Sequence, residues 1–261
     1  MVSVVYLALG GLGALAVGLL AGALVNALAD RVVGVDEPIW SASQCRKCLA
    51  PLGPATPLAL GELRRRRVCA ACGQTTSLRR PLTQLALALW ALAALWRAYA
   101  TPGLGDLPPW ALFLLVALAG VALTFIFVVD LEHRLIFDLA VFAPLVVTLA
   151  VVGIFDRHRL IPLLLAAALS GLIFLLFYGL GWLLYRQEAL GLGDVKLALL
   201  IGALVGWPGL VTALFATTII AAVLSLLLLA SGAAERRTYI PFGVFMALGA
   251  AIALFSAPLP W

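Results

Sequence analysis

Residues 191–206 read GLGDVKLALLIGALVG, and they place Asp194 at the edge of an apolar run that otherwise carries almost no charge. An ionisable group at such a position is energetically costly, which favours a functional role. A second acid, Asp130, closes the apolar run that begins at Pro109. Two carboxylates at the ends of apolar segments indicate acid/base chemistry.

The composition identifies the class of protein. The chain is 64% hydrophobic and 11% charged, with a mean hydropathy of +1.14, whereas soluble domains are about half apolar and about a quarter charged. Each apolar run of about 20 residues predicts one spanning helix. We therefore predict an all-α polytopic membrane protein with about eight transmembrane helices, over residues 3–29, 81–100, 109–130, 137–155, 160–185, 194–206, 208–231 and 239–258.

Two of these runs need comment. Residues 206–209, GWPG, predict a tight turn between the sixth and seventh runs, because proline ends a helix and glycine permits a turn. One long broken helix is the alternative. The first run is predicted to be a retained helix, since no Lys or Arg precedes it and it is longer than the roughly 7–15 apolar residues of a secretory signal.

Basic residues predict the orientation. Of 17 Lys and Arg, nine lie between the first two helices, and an external N-terminus places five more inside and three outside. The positive-inside rule then predicts external termini, with Asp130 and Asp194 at the cytoplasmic face of the inner membrane. This distribution predicts membrane lipids as partners and no nucleic acid. The inside set is Arg31, Arg46, Lys47, Arg64, Arg65, Arg66, Arg67, Arg79, Arg80, Arg134, Arg186, Lys196, Arg236 and Arg237.

Two neighbouring carboxylates do not easily ionise together, so one keeps a proton while the other stays charged. The charged group can deprotonate a water molecule, and the protonated group can polarise a carbonyl. Gly191 and Gly193 are predicted to allow backbone angles forbidden to other residues and to let another chain approach closely. A purely structural alternative is that Asp194 only caps a helix.

These residues resemble the prepilin peptidases of type IV pili and type II secretion, which are membrane-embedded aspartic proteases with a Gly-x-Gly-Asp motif. The likeness covers nearly the whole chain. The resemblance implies that Asp130 and Asp194 are catalytic. Phe137 stands where the family usually has proline before Asp138. The matching segments are residues 191–197, Asp130 with the following LEHRLIFD, and 241–243; the implied active-site loop residues are Gly191, Gly193, Lys196, Pro241, Phe242 and Gly243.

All four cysteines lie in the loop between the first two helices, as two Cys-x-x-Cys pairs separated by 20 residues: Cys45, Cys48, Cys69 and Cys72. This spacing is typical of a zinc ribbon. Four thiolates form the closed tetrahedral shell of a structural zinc site, which the reducing cytoplasm favours over disulfides. A redox pair is the alternative. Segment boundaries are predicted at 1–29 for the first helix, 30–80 for the zinc loop and 81–261 for the peptidase region.

Similar proteins with such a loop often also methylate the new N-terminal amine with S-adenosylmethionine. The family commonly has glutamate where this chain has Gln84. The predicted function is cleavage of prepilin or pseudopilin precursors at the cytoplasmic membrane face. N-methylation of the new N-terminus stays open as a second activity. The alternatives are a protease of the same type acting on other membrane substrates, a transporter that uses intramembrane acids, and a non-catalytic assembly protein that docks partners through its zinc loop.

Overall fold

The computed structural model describes residues 2–32, 48, 69, 71–73, 78–100, 107–186, 190–232 and 240–256. All regular secondary structure in these ranges is helical. The seven helices are α1 (Val2–Arg31), α2 (Arg79–Ala100), α3 (Pro109–His133), α4 (Asp138–Phe155), α5 (Arg157–Tyr185), α6 (Leu192–Ala230) and α7 (Phe242–Ser256).

The predicted all-α membrane fold is confirmed. Six described helices, α1 to α6, are long and apolar enough to cross a membrane, and α7 is a shorter apolar helix. The eight predicted runs all fall on these helices, because α6 contains both the sixth and the seventh run. The predicted zinc loop, 30–80, lies mostly outside the described residues, so the segment boundaries stay predictions.

The chain reverses direction within α6. Gly206 (φ 53, ψ −164) and Trp207 (φ −100, ψ 131) leave helical geometry. After them, Thr217 packs against both Phe245 and Gly249 of α7, whereas Ala213, one turn earlier in α6, packs against Gly249. The second half of α6 therefore runs antiparallel to α7, towards the beginning of that helix. The predicted turn at residues 206–209 is present.

The chain divides into two compact units, Met1–Trp96 and Arg97–Trp261. In the first unit, glycines let α1 and α2 touch through their backbones. A Cβ added at Gly22 would lie 2.5 Å from the Cα of Gln84, which no side chain tolerates. At the same end, the Asp30 carboxylate pairs with Arg79 and Arg80.

The second unit is built around α6, whose first half is almost fully buried. Its core side chains are Leu197, Leu200, Ile201 and Leu204. Gly202 brings this half against α5, since an added Cβ would lie 2.5 Å from the Ala166 carbonyl oxygen. Helix α6 also packs against α4 and α7, and α3 packs against α4 and α7. This arrangement brings the end of α3 and the beginnings of α4, α6 and α7 together.

Candidate active site

Asp130 lies in the last turn of α3 and is 5% exposed. The helix ends just beyond it, because Arg134 adopts the left-handed conformation (φ 58) and donates its N–H to the Asp130 carbonyl oxygen at 2.9 Å. The Asp130 carboxylate accepts a hydrogen bond from the Val244 N–H, at 3.0 Å from Oδ2. Val244 is in the first turn of α7, where N–H groups lack partners within the helix. Asp130 therefore caps α7 from a different helix.

Asp194 is the third residue of α6 and is 6% exposed. Its Oδ2 accepts a hydrogen bond from the Gly191 N–H at 3.2 Å, and its own N–H donates to the Gly191 carbonyl oxygen at 3.1 Å. The Asp194 carboxylate thus lies at the positive end of the α6 dipole, which favours a negative charge. The structural alternative, a cap at this helix start, describes part of what Asp194 does.

Asp130 and Asp194 lie close enough to interact electrostatically. Ile136, in the short segment between α3 and α4, packs against Gly193 of α6 and Gly243 of α7. A Cβ added at Gly193 would lie 3.0 Å from the Ile136 Cβ, and one added at Gly243 would lie 3.1 Å from its Cδ1. The beginning of α6, which carries Asp194, and the beginning of α7, which contacts Asp130, therefore meet around Ile136.

Gly243 leaves space for a carboxylate. An added Cβ would lie 2.7 Å from Asp130 Oδ2, which is closer than real side chains come. Gly193 permits the close approach of Ile136 of the same chain, and the predicted approach of another chain stays a prediction. The predicted need for unusual backbone angles was wrong for Gly191, whose φ of −77 and ψ of 147 suit any residue. Among the described glycines, left-handed φ values occur at Gly73, Gly206 and Gly232.

Lys196 forms an ion pair that links α6 to α4. Its Nζ lies 2.5 Å from Asp138 Oδ1, and both side chains are exposed, Asp138 at 63%. Asp138, the first residue of α4, therefore has an ionic partner on α6. Exposed ion pairs contribute at most about 1 kcal/mol to stability, so this contact adds little to the stability of the fold.

The remaining predicted loop residues lie beside Asp130. Pro241 precedes α7, and Phe242 begins it, with its ring 6.3 Å from that of Phe174. Phe137 precedes α4 with a φ of −80 and a ψ of 135, angles that proline adopts as well. The backbone angles at position 137 are therefore compatible with either residue.

Sequence reasoning missed the contacts of Ile136 and the main-chain donors of Gly191 and Val244. The one indication available from the sequence was the short connection of residues 134–137. It forces the end of α3 and the beginning of α4 together. Glu132, in the last turn of α3, has its Oε2 3.7 Å from His133 Nε2.

Three of the predicted metal ligands converge. The sulfurs of Cys48, Cys69 and Cys72 lie within 4.8 Å of one another, and Cys48 Sγ is 3.5 Å from Cys69 Sγ. A tetrahedral zinc site with Zn–S bonds of about 2.3 Å separates its sulfurs by about 3.8 Å. The cluster can therefore hold a metal ion. Cys45, the predicted fourth ligand, lies outside the described residues.

Gly73 completes the turn after the second cysteine pair. Its N–H donates to the Cys69 carbonyl oxygen at 2.8 Å, and its φ of +69 is one that glycine adopts without strain. The turn brings Cys69 and Cys72 to one side of the loop, which is how a Cys-x-x-Cys pair offers two thiolates to one ion.

Comparison with known proteins finds one family over most of the chain. Residues 114–226 match the Type IV leader peptidase family, and residues 16–98 match the Bacterial Peptidase A24 N-terminal domain. No solved structure matches. The similar proteins include three that carry the name prepilin leader peptidase/N-methyltransferase. They come from Pseudomonas aeruginosa (27% identity over 91% of this chain and 87% of the relative), Stutzerimonas stutzeri (29%, 92% and 89%) and Aeromonas hydrophila (31%, 85% and 75%).

The space beside Gly243 gives a first prediction. We expect Gly243→Ala to push the Asp130 carboxylate from the Val244 N–H, because the new Cβ would overlap Oδ2. A misplacement of about 1 Å can cost roughly 100-fold in rate, so peptide cleavage should fall by about that factor while the protein stays folded.

The matched control is Gly153→Ala in α4, where the new Cβ would meet Leu160 at an ordinary 3.6 Å. Cleavage rates and thermal unfolding of both variants in detergent are the measurements. Equal rates for Gly243→Ala and Gly153→Ala would contradict the prediction.

Proposed function

Because this chain belongs to the Type IV leader peptidase family, we propose that it is a membrane aspartic endopeptidase that removes the leader of prepilin or pseudopilin precursors. The observation that carries the proposal is the aspartate pair, Asp130 and Asp194. Both carboxylates are buried, both are held by main-chain N–H groups at helix beginnings, and they interact with each other.

In the proposed mechanism the pair shares one proton, because two adjacent carboxylates do not easily both carry charge. The charged carboxylate takes a proton from a water molecule, whose oxygen attacks the carbonyl carbon of the scissile peptide bond. The protonated carboxyl group donates a hydrogen bond to the carbonyl oxygen, and a proton passes to the leaving amine as the tetrahedral intermediate collapses.

The main-chain contacts give each carboxyl group a fixed orientation. The Val244 and Gly191 N–H groups hold one oxygen of Asp130 and of Asp194, respectively, and in the proposed mechanism the second oxygen acts on water or substrate. Fixed catalytic groups lower the barrier because little reorientation remains at the moment of reaction.

We also propose that cleavage takes place at the cytoplasmic face of the inner membrane. The distribution of Lys and Arg supports this orientation. A precursor with a charged leader and an apolar helix would keep its leader in the cytoplasm and its helix in the bilayer. Its scissile bond would then lie at the level of the helix ends that carry Asp130 and Asp194.

The positions of the acids favour this function over transport. A transporter that used them for protons or cations would place them near the middle of its spans. Asp130 is three residues before the end of α3, and Asp194 is the third residue of α6. A non-catalytic assembly protein would tolerate the loss of either acid. Substitution of the acids therefore distinguishes that alternative from a peptidase. Other membrane substrates remain a second candidate for the same active site.

The cysteine cluster is proposed to bind a structural zinc ion, with Cys45 as the fourth ligand to Cys48, Cys69 and Cys72. Zinc would stabilise a loop that is too short to build a large core of its own. The ion is assigned no part in peptide cleavage.

N-methylation of the cleaved product is proposed as a second activity, because the similar proteins carry that activity in their names. S-adenosylmethionine would supply the methyl group. In the first unit, Asn26 Oδ1 is buried and has no hydrogen-bond partner among the described residues, so it could accept a hydrogen bond from a polar ligand. Gln84 is also buried, against Gly22 of α1.

Isosteric changes test the aspartate pair. We expect Asp130→Asn and Asp194→Asn each to reduce cleavage of a model prepilin by the full-length protein at least about 1,000-fold, because an amide can neither accept the water proton nor replace the shared proton. Cleavage in lipid nanodiscs, followed by mass spectrometry, is the measurement.

Asp156→Asn is the matched control. Asp156 is also buried, but it lies at the other end of α4, about 27 Å from the loop that joins α3 to α4. This variant should cleave within a few-fold of wild type. Full activity in either Asp130→Asn or Asp194→Asn would refute the proposed mechanism.

Zinc binding gives a separate prediction. The purified full-length protein should contain about one zinc per chain by elemental analysis, and Cys69→Ser together with Cys72→Ser should remove it, because two remaining thiolates bind zinc weakly. Asp30→Asn, which changes a charged residue of the same unit outside the cluster, should keep the metal. Undiminished zinc in the double cysteine variant would rule out this site.

The second activity is tested on the cleaved product. With S-adenosylmethionine present, the new N-terminus should gain the mass of one methyl group, and without it no gain should occur. A product that stays unmodified while cleavage proceeds would remove the methyltransferase proposal and leave the peptidase proposal intact.

A further inference from the structure

One side chain of the connection between α3 and α4 lies between the beginnings of α6 and α7. A Cβ added at Gly193 of α6 would lie 3.0 Å from the Ile136 Cβ and 3.4 Å from its Cγ1 and Cδ1. A Cβ added at Gly243 of α7 would lie 3.1 Å from the Ile136 Cδ1. Both helix beginnings therefore rest on the same isoleucine, and each does so through a glycine that lets the backbone come close.

The two glycines are the immediate neighbours of residues that fix the aspartate pair. Gly193 precedes Asp194, and Gly243 precedes Val244, whose N–H holds the Asp130 carboxylate. A shift of either glycine backbone therefore moves Asp194, or the donor to Asp130, relative to the other acid. Two carboxylates share one proton only when they are close together, so their separation decides whether the pair functions.

The residues that follow Ile136 anchor the connection on two other helices. The Phe137 ring lies 6.5 Å from the ring of Phe125 in α3. Asp138 forms its ion pair with Lys196 of α6. A short connection held at two successive positions leaves the isoleucine before them little freedom to move. Such a side chain can set a distance between the elements that it contacts.

We propose that Ile136 is a positioning residue, a spacer that fixes the separation of Asp130 and Asp194. It acts by holding the beginnings of α6 and α7 at a set distance, without contact to the substrate. A smaller side chain would leave a void into which the glycine backbones move, and a larger one would force them apart. The inference rests on the proposed peptidase function and adds a required apolar residue to it.

The test measures kcat and KM of the full-length protein in nanodiscs on a model prepilin. Ile136→Ala removes the Cγ1 and Cδ1 that contact the glycines. It should lower kcat about 100-fold, because a misplacement of about 1 Å can cost that factor in rate. KM should stay within about twofold, because no substrate contact is lost. Ile136→Phe, which overfills the same space, should lower kcat as well, whereas the volume-conserving Ile136→Leu should stay within about fivefold of wild type.

Leu139→Ala is the matched control. It truncates an aliphatic side chain three residues further along the chain, at a position that is 79% exposed, so it leaves no void. Its kcat and KM should stay within about twofold of wild type. Thermal unfolding in detergent establishes that each compared variant is folded.

A double-variant comparison covers the case in which Ile136→Ala loses stability. Gly193→Ala should slow cleavage in the wild-type background, because its new Cβ presses on Ile136. The factor by which it slows cleavage should be at least about fivefold smaller in the Ile136→Ala background, since two of the three nearest atoms are then gone and residues in contact are not additive. In the Leu139→Ala background the factor should equal that in wild type.

The results separate the spacer from other roles. Wild-type kcat in both Ile136→Ala and Ile136→Phe would overturn the spacer and leave the peptidase function in place. A raised KM with an unchanged kcat would overturn it too, since it would assign Ile136 to substrate binding, and so would an equal cost of Gly193→Ala in all three backgrounds. A folded wild type that cleaves no prepilin would overturn the peptidase function and the spacer with it.

Discussion

The hydrogen bond between the Asp130 carboxylate and the Val244 N–H is the contact on which the candidate site depends. An acid at the end of an apolar helix needs a polar partner, and the first turn of a helix needs an acceptor. One bond meets both needs, and it fixes the end of α3 against the start of α7. The absence of a side chain at Gly243 follows from this contact, since it leaves the carboxylate its space.

The reversal of the chain at Gly206 brings the beginning of α7, which holds Asp130, near Asp194. A chain that continued straight through α6 would begin α7 far from the beginning of α6. Because the second half of α6 returns, α7 starts near the end where Asp194 lies. The two acids are 64 positions apart in the sequence, yet each occupies a helix end in the same part of the unit. Chain direction alone therefore accounts for much of their proximity.

Hydropathy and charge predicted the helices and the two acids, because a bilayer imposes a length on each span and a cost on each buried charge. The partners of these acids were not predictable from the sequence. Val244 contributes an N–H group, which every residue except proline has, and Ile136 acts through packing that no local pattern records. Gly191 shows the reverse error, since its residue type indicated unusual angles that its backbone does not adopt.

The donors to Asp130 and Asp194 belong to the main chain, and this has a consequence for how such a site diverges. A side-chain donor restricts its position to a few residue types, whereas an N–H group is kept through almost any replacement. Position 244 can change its side chain and still hold Asp130, provided that it does not become proline. An active site anchored in this way leaves most of the surrounding sequence open to drift, which is compatible with relatives that share only 27–31% of their residues with this chain.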